Sequence, residues 1–134
     1  MDTDLIAWIA ERAKDPIEFG KSDCVPLCAA WVIERSGIDP LAAMRPLPYH
    51  DRESRDEYAA RNGGMIKTIL RGIKGIEMLR AVAPSYAPVG AVGLGHHLGQ
   101  CTMAIKHSAA FWATRGPVGV VLLQSECMQR AWTW

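Results

Sequence analysis

The segment Ile17–Cys28, IEFGKSDCVPLC, leads from a glycine-containing loop into a pattern that is typical of a helix. Apolar residues recur from this point at helical spacing, at Cys24, Leu27, Cys28, Trp31 and Val32. Either Ser22 or Asp23 is expected to cap the start of the helix, and Gly37 is suited to end it. The sequence therefore predicts a helix with Cys24 at its N-terminus.

The rest of the chain divides into a helical half and a strand-rich half. A first helix is predicted over residues 3–14, with Asp2 or Thr3 as its N-cap. Two further helices are predicted, over residues 51–61 and 65–73. Glycine-flanked apolar runs follow and predict strands at 89–94, 98–105, 109–113 and 118–123. This order indicates an α+β fold, with N-terminal helices packed on a C-terminal antiparallel β-sheet in a single domain, residues 1–134.

The composition argues against several classes of protein. The formal net charge is +1 with 22% charged residues, which is too weak a basic field to hold a nucleic acid or an anionic membrane surface. The apolar runs are interrupted before they reach the roughly 20 residues that cross a bilayer. The chain opens with Met1-Asp2-Thr3-Asp4, which is acidic where a secretory signal is basic, so we expect synthesis in the cytosol.

The four cysteines stand at positions 24, 28, 101 and 127. Without a secretory signal they are expected to stay reduced. Three residues separate Cys24 from Cys28, whereas zinc knuckles and thioredoxin-type sites have a gap of two, so we expect no metal. Cys28 falls on the apolar stripe of the helix and is predicted to be an inert core residue.

The position of Cys24 suits a nucleophile, because a helix N-terminus favours the thiolate. His96 and His97 directly precede Leu98, the predicted start of a strand, from which an imidazole can reach the N-terminus of a facing helix. Such a cysteine–histidine pair performs nucleophilic attack, with the imidazole as general base. His107 would lie beside His97 on the next strand and orient its ring. The alternative is that Cys24 packs in the core and the histidines are surface residues.

Two motifs resemble the NlpC-like branch of the papain-like peptidases. The segment PIEFGKSDC, residues 16–24, resembles the P-[YF]-x-[WF]-G-x-x-D-C entry to their catalytic helix. The segment HLGQCTMAI, residues 97–105, resembles their H-[VL]-G-I-Y-x-G strand. The C-terminal VVLLQSECMQRAWTW, residues 120–134, is similar to that of a small NlpC-like family encoded in phage and prophage tail modules. The resemblance covers most of the chain.

This resemblance implies a papain-like, NlpC-type fold with Cys24 as nucleophile and His97 as general base. Asp23 matches the acidic residue that precedes the nucleophile, and we assign it with Ser22 and His96 to the substrate and oxyanion side of the site. The implied reaction is cleavage of a peptide or isopeptide bond in bacterial cell-wall stem peptides through a thioester. It requires no metal or organic cofactor.

The chain also departs from the peptidase pattern. Ile17 replaces a tyrosine near the oxyanion site, Ala91 replaces an aspartate, and Trp112 aligns with the third catalytic position, so His107 would have to substitute. These departures leave open an alternative function, a catalytically inactive structural or adaptor module of a phage tail tip. The partners would then be other tail proteins, and the location would be the virion tail.

Overall fold

A computed structural model of the chain describes residues 4–14, 24–44, 49–62, 64–116 and 119–134. In these ranges, α-helices precede an antiparallel β-sheet, which confirms the predicted α+β class. The helices are α1 (Leu5–Ala13), α2 (Cys24–Ser36), α3 (Arg52–Asn62) and α4 (Gly64–Lys74). The strands are β1 (Arg80–Val82), β2 (Val92–His97), β3 (Gln100–Lys106), β4 (Phe111–Gly116), β5 (Gly119–Gln124) and β6 (Met128–Thr133).

The helix boundaries lie close to the predicted ones. The N-cap of α1 is Asp4 and not Asp2 or Thr3, because its carboxylate accepts a hydrogen bond from the backbone N–H of Ala7 at 3.2 Å. Gly37 ends α2 with a φ of +75°, and its N–H donates to the Ile33 carbonyl at 2.7 Å. Within the described ranges, none of the helices combines the length and the apolar character needed to cross a membrane.

The sheet has the strand order β1-β6-β2-β3-β4-β5. Strands β2 to β5 follow one another as antiparallel neighbours, and β6 returns to lie between β1 and β2. Strands β1 and β6 are not among the strands that the sequence predicts, and the turn between β2 and β3 lies later than the sequence predicts. Leu98 does not start a strand, because it forms the turn with Gly99, and both have positive φ, 51° and 77°.

The pleat of the sheet divides its apolar side chains between two surfaces. The helix face, which packs against α1, α2 and α4, contains Val92, Leu94, Met103, Ile105, Ala113 and Trp132. The far face, on the other side of the sheet, contains Ala104, Trp112, Leu123, Met128 and Ala131. Helix α2 lies across β3 and β4 on the helix face. Any side chain on the central strands therefore either faces α2 or is screened from it by the sheet.

Trp31 fixes α2 to the sheet. Its side chain is 1% exposed, and its Nε1 donates a buried hydrogen bond of 2.8 Å to the carbonyl of Gly90. Gly90 has a φ of +94° and stands just before β2. Trp8 of α1 packs edge-on against Trp31, with ring centroids 5.1 Å apart and planes at 63°. One buried indole thus joins α1, α2 and the entry to β2.

The substitution Trp31→Phe is expected to lower the free energy of unfolding by about 2 kcal/mol, because it leaves the buried Gly90 carbonyl without this donor. Denaturant unfolding measures the loss. Trp8→Phe is the matched control, because Trp8 Nε1 is buried without a hydrogen-bond partner among the described residues. The control should lose clearly less stability, and equal losses would show that the hydrogen bond contributes nothing beyond ring packing.

Candidate functional site

Cys24 is the first residue of α2, as predicted. Its side chain is half-buried and packs against the core of the helix face. The position suits a thiolate, because the unpaired N–H groups of a helix N-terminus favour negative charge. Ser22 and Asp23, which were assigned to the substrate and oxyanion side of the site, lie outside the described residues.

Cys28 lies one turn further along α2 and is the buried core residue that the sequence predicted. It is 1% exposed. Burial, and to a smaller extent the neighbouring Cys24, raises the pKa of the Cys28 thiol well above its usual range. A thiol with a raised pKa forms little of the reactive thiolate at neutral pH. Cys28 is therefore unsuited to nucleophilic chemistry.

The residues of β2 alternate between the two faces of the sheet. Val92 and Leu94 belong to the core of the helix face. Between them stands Gly93, and a side chain added there would collide with Trp112 and Met128 of the far face. Successive side chains of a strand point to opposite faces. His96 therefore lies on the helix face and His97 on the far face.

The sheet consequently does not bring Cys24 and His97 together on one face. His97 is half-buried and lies opposite Gln100, at the last paired position before the turn. The predicted encounter with Cys24 required a strand that begins after His97. Because the turn comes at Leu98, His97 is instead the last residue of β2. The alternation of side chains along this strand directs His97 away from α2.

His107 does not lie beside His97, so the contact that the sequence predicts between the two rings does not form. His107 directly follows β3, and its backbone N–H donates to the Phe111 carbonyl at 2.9 Å. His97 pairs with Gln100 at the other end of β3. The 7 residues of β3 separate the two histidines by about 24 Å at roughly 3.4 Å per residue. The Nδ1 atom of His107 is buried and has no hydrogen-bond partner among the described residues.

His96 has a cysteine neighbour that the sequence does not predict. It pairs directly with Cys101 across β2 and β3, and Cys101 Sγ lies 3.4 Å from His96 Nε2. Both residues are exposed and lie on the helix face, near the tip of the hairpin. A two-residue turn at Leu98 and Gly99 would have predicted this pairing, because it places positions 96 and 101 opposite each other.

A lysine is buried on the far face. Lys106 is 2% exposed, and its Nζ lies 3.3 Å from Ser125 Oγ and 5.1 Å from the centroid of the Trp112 ring. Trp112 Nε1 donates to the same Oγ at 3.1 Å. Burial lowers the pKa of Lys106, because the charged ammonium loses hydration. Trp112, which the resemblance to the NlpC-like peptidases would put at their third catalytic position, is thus a core residue beside a buried amine.

The substitution Lys106→Met is expected to raise the free energy of unfolding at pH 7 by about 1 kcal/mol, because it removes a buried ammonium. The folded state lowers the pKa of Lys106, so burial of its charged ammonium reduces the free energy of unfolding by the full amount at low pH. That cost is relieved as the pH rises through the folded pKa toward the ordinary value of 10.5. The advantage of the variant should therefore shrink between pH 7 and pH 10.5 in denaturant unfolding.

Lys67→Met is the control for this prediction, because Lys67 is exposed on α4. It should leave stability and its pH dependence unchanged. If Lys106→Met proves less stable than the parent at pH 7, the hydrogen bond to Ser125 outweighs the cost of desolvation and the account of Lys106 is wrong.

The described residues contain no group of three or more histidine, cysteine, aspartate or glutamate side chains arranged to hold a metal ion. Two features thus define the candidate site. One is a cysteine at the start of a helix that packs on an antiparallel sheet, and the other is a pair of adjacent histidines that the sheet directs to opposite faces. The class is an α+β protein with a helix-borne cysteine.

A family model described as a domain of unknown function, DUF6950, matches residues 1–134 of the chain. The protein belongs to this family. A comparison with curated proteins finds no match, and a comparison with solved structures finds none either.

Proposed function

We propose that this protein is a catalytically inactive NlpC-like module that serves as a structural or adaptor component of a phage tail tip. The observation that carries the proposal is the placement of His97 on the far face while Cys24 packs on the helix face. The papain-like part of the proposal is supported by a helix that begins with a cysteine and packs on an antiparallel sheet, together with the motifs at residues 16–24 and 97–105.

The chemistry of a cysteine peptidase explains why this placement matters. The imidazole must approach the thiol to about 3 Å, directly or through one water, to take its proton during attack. A histidine on the other face of the sheet is separated from the thiol by the backbone. The third position offers no replacement, because Trp112 is a fully buried core residue on the far face. The chain thus keeps the cysteine of the peptidase pattern, while the two residues that the pattern would pair with it, His97 and Trp112, lie on the far face.

The outer strand of the sheet supports a role in assembly. Strand β5 is at the edge of the described sheet, and its side chains Val120 and Leu122 are 38% and 47% exposed. An open strand edge with apolar side chains favours pairing with a strand of another protein. Such an edge is expected in a protein that works as part of a larger assembly.

One observation favours a second candidate, a cysteine peptidase or amidase that acts on peptidoglycan stem peptides. Cys24 does stand at the N-terminus of α2, where backbone N–H groups favour a thiolate and an oxyanion. His96 lies on the helix face, so in this alternative the base is His96 rather than His97. Its Nε2 would have to leave Cys101 Sγ to reach the Cys24 thiol.

Incubation of the purified protein with peptidoglycan and with synthetic stem peptides separates the two functions. Mass spectrometry should detect no more product from the native protein than from Cys24→Ala, because His97, the histidine that matches the peptidase pattern, lies on the far face of the sheet. Release of peptide fragments that Cys24→Ala abolishes would contradict the proposal. The variants His96→Ala and His97→Ala would then identify the base.

Complementation tests the assembly role itself. In the phage or prophage that carries the gene, deletion is expected to abolish infectious particles and leave incomplete tails in electron micrographs. A copy with Cys24→Ala should restore the titre to the native level, because the thiol is not needed. Complete tails in the deletion strain would rule out a role in the tail tip, and failure of Cys24→Ala to restore titre would show that the thiol has a function.

A further inference from the structure

We propose that Cys101 and His96 form a reactive thiol site, at which Cys101 exchanges with low-molecular-weight disulfides and becomes modified as a mixed disulfide. Cys101 Sγ lies 3.4 Å from His96 Nε2, and the two side chains are exposed at the tip of the β2–β3 hairpin. The site is separate from Cys24 and His97, and it does not rest on the proposed tail function.

The hairpin holds the thiol and the imidazole together. The β2–β3 register is continuous from Val92, opposite Ile105, to His97, opposite Gln100. Directly opposed residues of an antiparallel pair have Cβ atoms about 4.5 to 5.5 Å apart, so a cysteine and a histidine there stay within reach of each other. Further along β3, Ile105 is completely buried and anchors the strand in the core. The contact is therefore a property of the sheet and not of a flexible loop.

Cys101 is also the best placed of the four thiols. It is exposed, whereas Cys24 and Cys127 are half-buried and Cys28 is buried with a raised pKa. Reaction with a disulfide needs an accessible sulfur that can lose its proton. Cys101 has the access, and His96 supplies a group that can accept the proton.

The exchange balances without any further reagent. The Cys101 thiol passes its proton to His96 Nε2 as Sγ attacks one sulfur of the small disulfide. The S–S bond of the small molecule breaks and a new S–S bond forms to Cys101. The departing thiolate takes the proton from the His96 imidazolium and leaves as a thiol. Oxidation of Cys101 is matched by reduction of the departing half of the disulfide.

Oxidised glutathione is the probe, and intact mass with peptide mapping gives the rate and the site of modification. The full chain carrying Cys24→Ala is used, so that no adduct can arise at Cys24. Cys101 should be the first cysteine modified at pH 7, and His96→Ala should slow its modification about tenfold. The matched control is His97→Ala, because His97 lies on the same hairpin but on the far face, and its rate should equal that of the parent.

His96→Gln is measured beside His96→Ala, because glutamine keeps a polar side chain of similar size without a titratable ring. Slowing in both variants, with His97→Ala unchanged, supports the site. Equal rates in the parent, His96→Ala and His97→Ala would overturn it. A first adduct on Cys127 or Cys28 would overturn it as well, since the reactive thiol would then be elsewhere.

Discussion

The hydrogen bond from Trp31 to the Gly90 carbonyl sets the relation between helix and sheet on which the candidate site depends. It holds the middle of α2 beside the entry to β2, and the ring of Trp134 lies 5.4 Å from the Arg35 guanidinium nearby. With α2 fixed there, Val92 at the start of β2 faces the helices, and this sets the facing of every later residue of the strand. The period of two along the strand then decides which later side chains can approach the helix.

The alternation of side chains along β2 places two neighbouring histidines on opposite faces of the sheet. His96 emerges on the helix face and meets the thiol of Cys101, whereas His97 emerges on the far face opposite Gln100. A shift of one residue would exchange them, since register and facing are coupled in a strand. The sheet resists such a shift, because Gly95 passes so close to the backbone of Cys127 that no side chain fits there. The fixed register of β2 therefore argues against His97 as the base of a peptidase, and it places His96 beside Cys101.

Much of the fold was predictable because its signals are local. The apolar stripe of α2 and the glycine after it gave the helix and its end correctly, and the order of helices and strands gave the class. The turn at Leu98 was not predictable in this way, because leucine seldom adopts a positive φ and no Asn-Gly or Asp-Gly pair marks the site. Strand β6 was hidden by its polar residues and by a register shift opposite Leu94 and Gly95. Burial of Lys106 depends on tertiary packing that the sequence does not display.

The most direct test of this account is to assign the imidazole protons of His96 and His97 by NMR and to record their nuclear Overhauser contacts. We predict contacts from the His96 ring to the β-protons of Cys101, and none from the His97 ring to Cys24 or Val25 of α2. Contacts between the His97 ring and the first turn of α2 would contradict it, and would return His97 to the position of a general base.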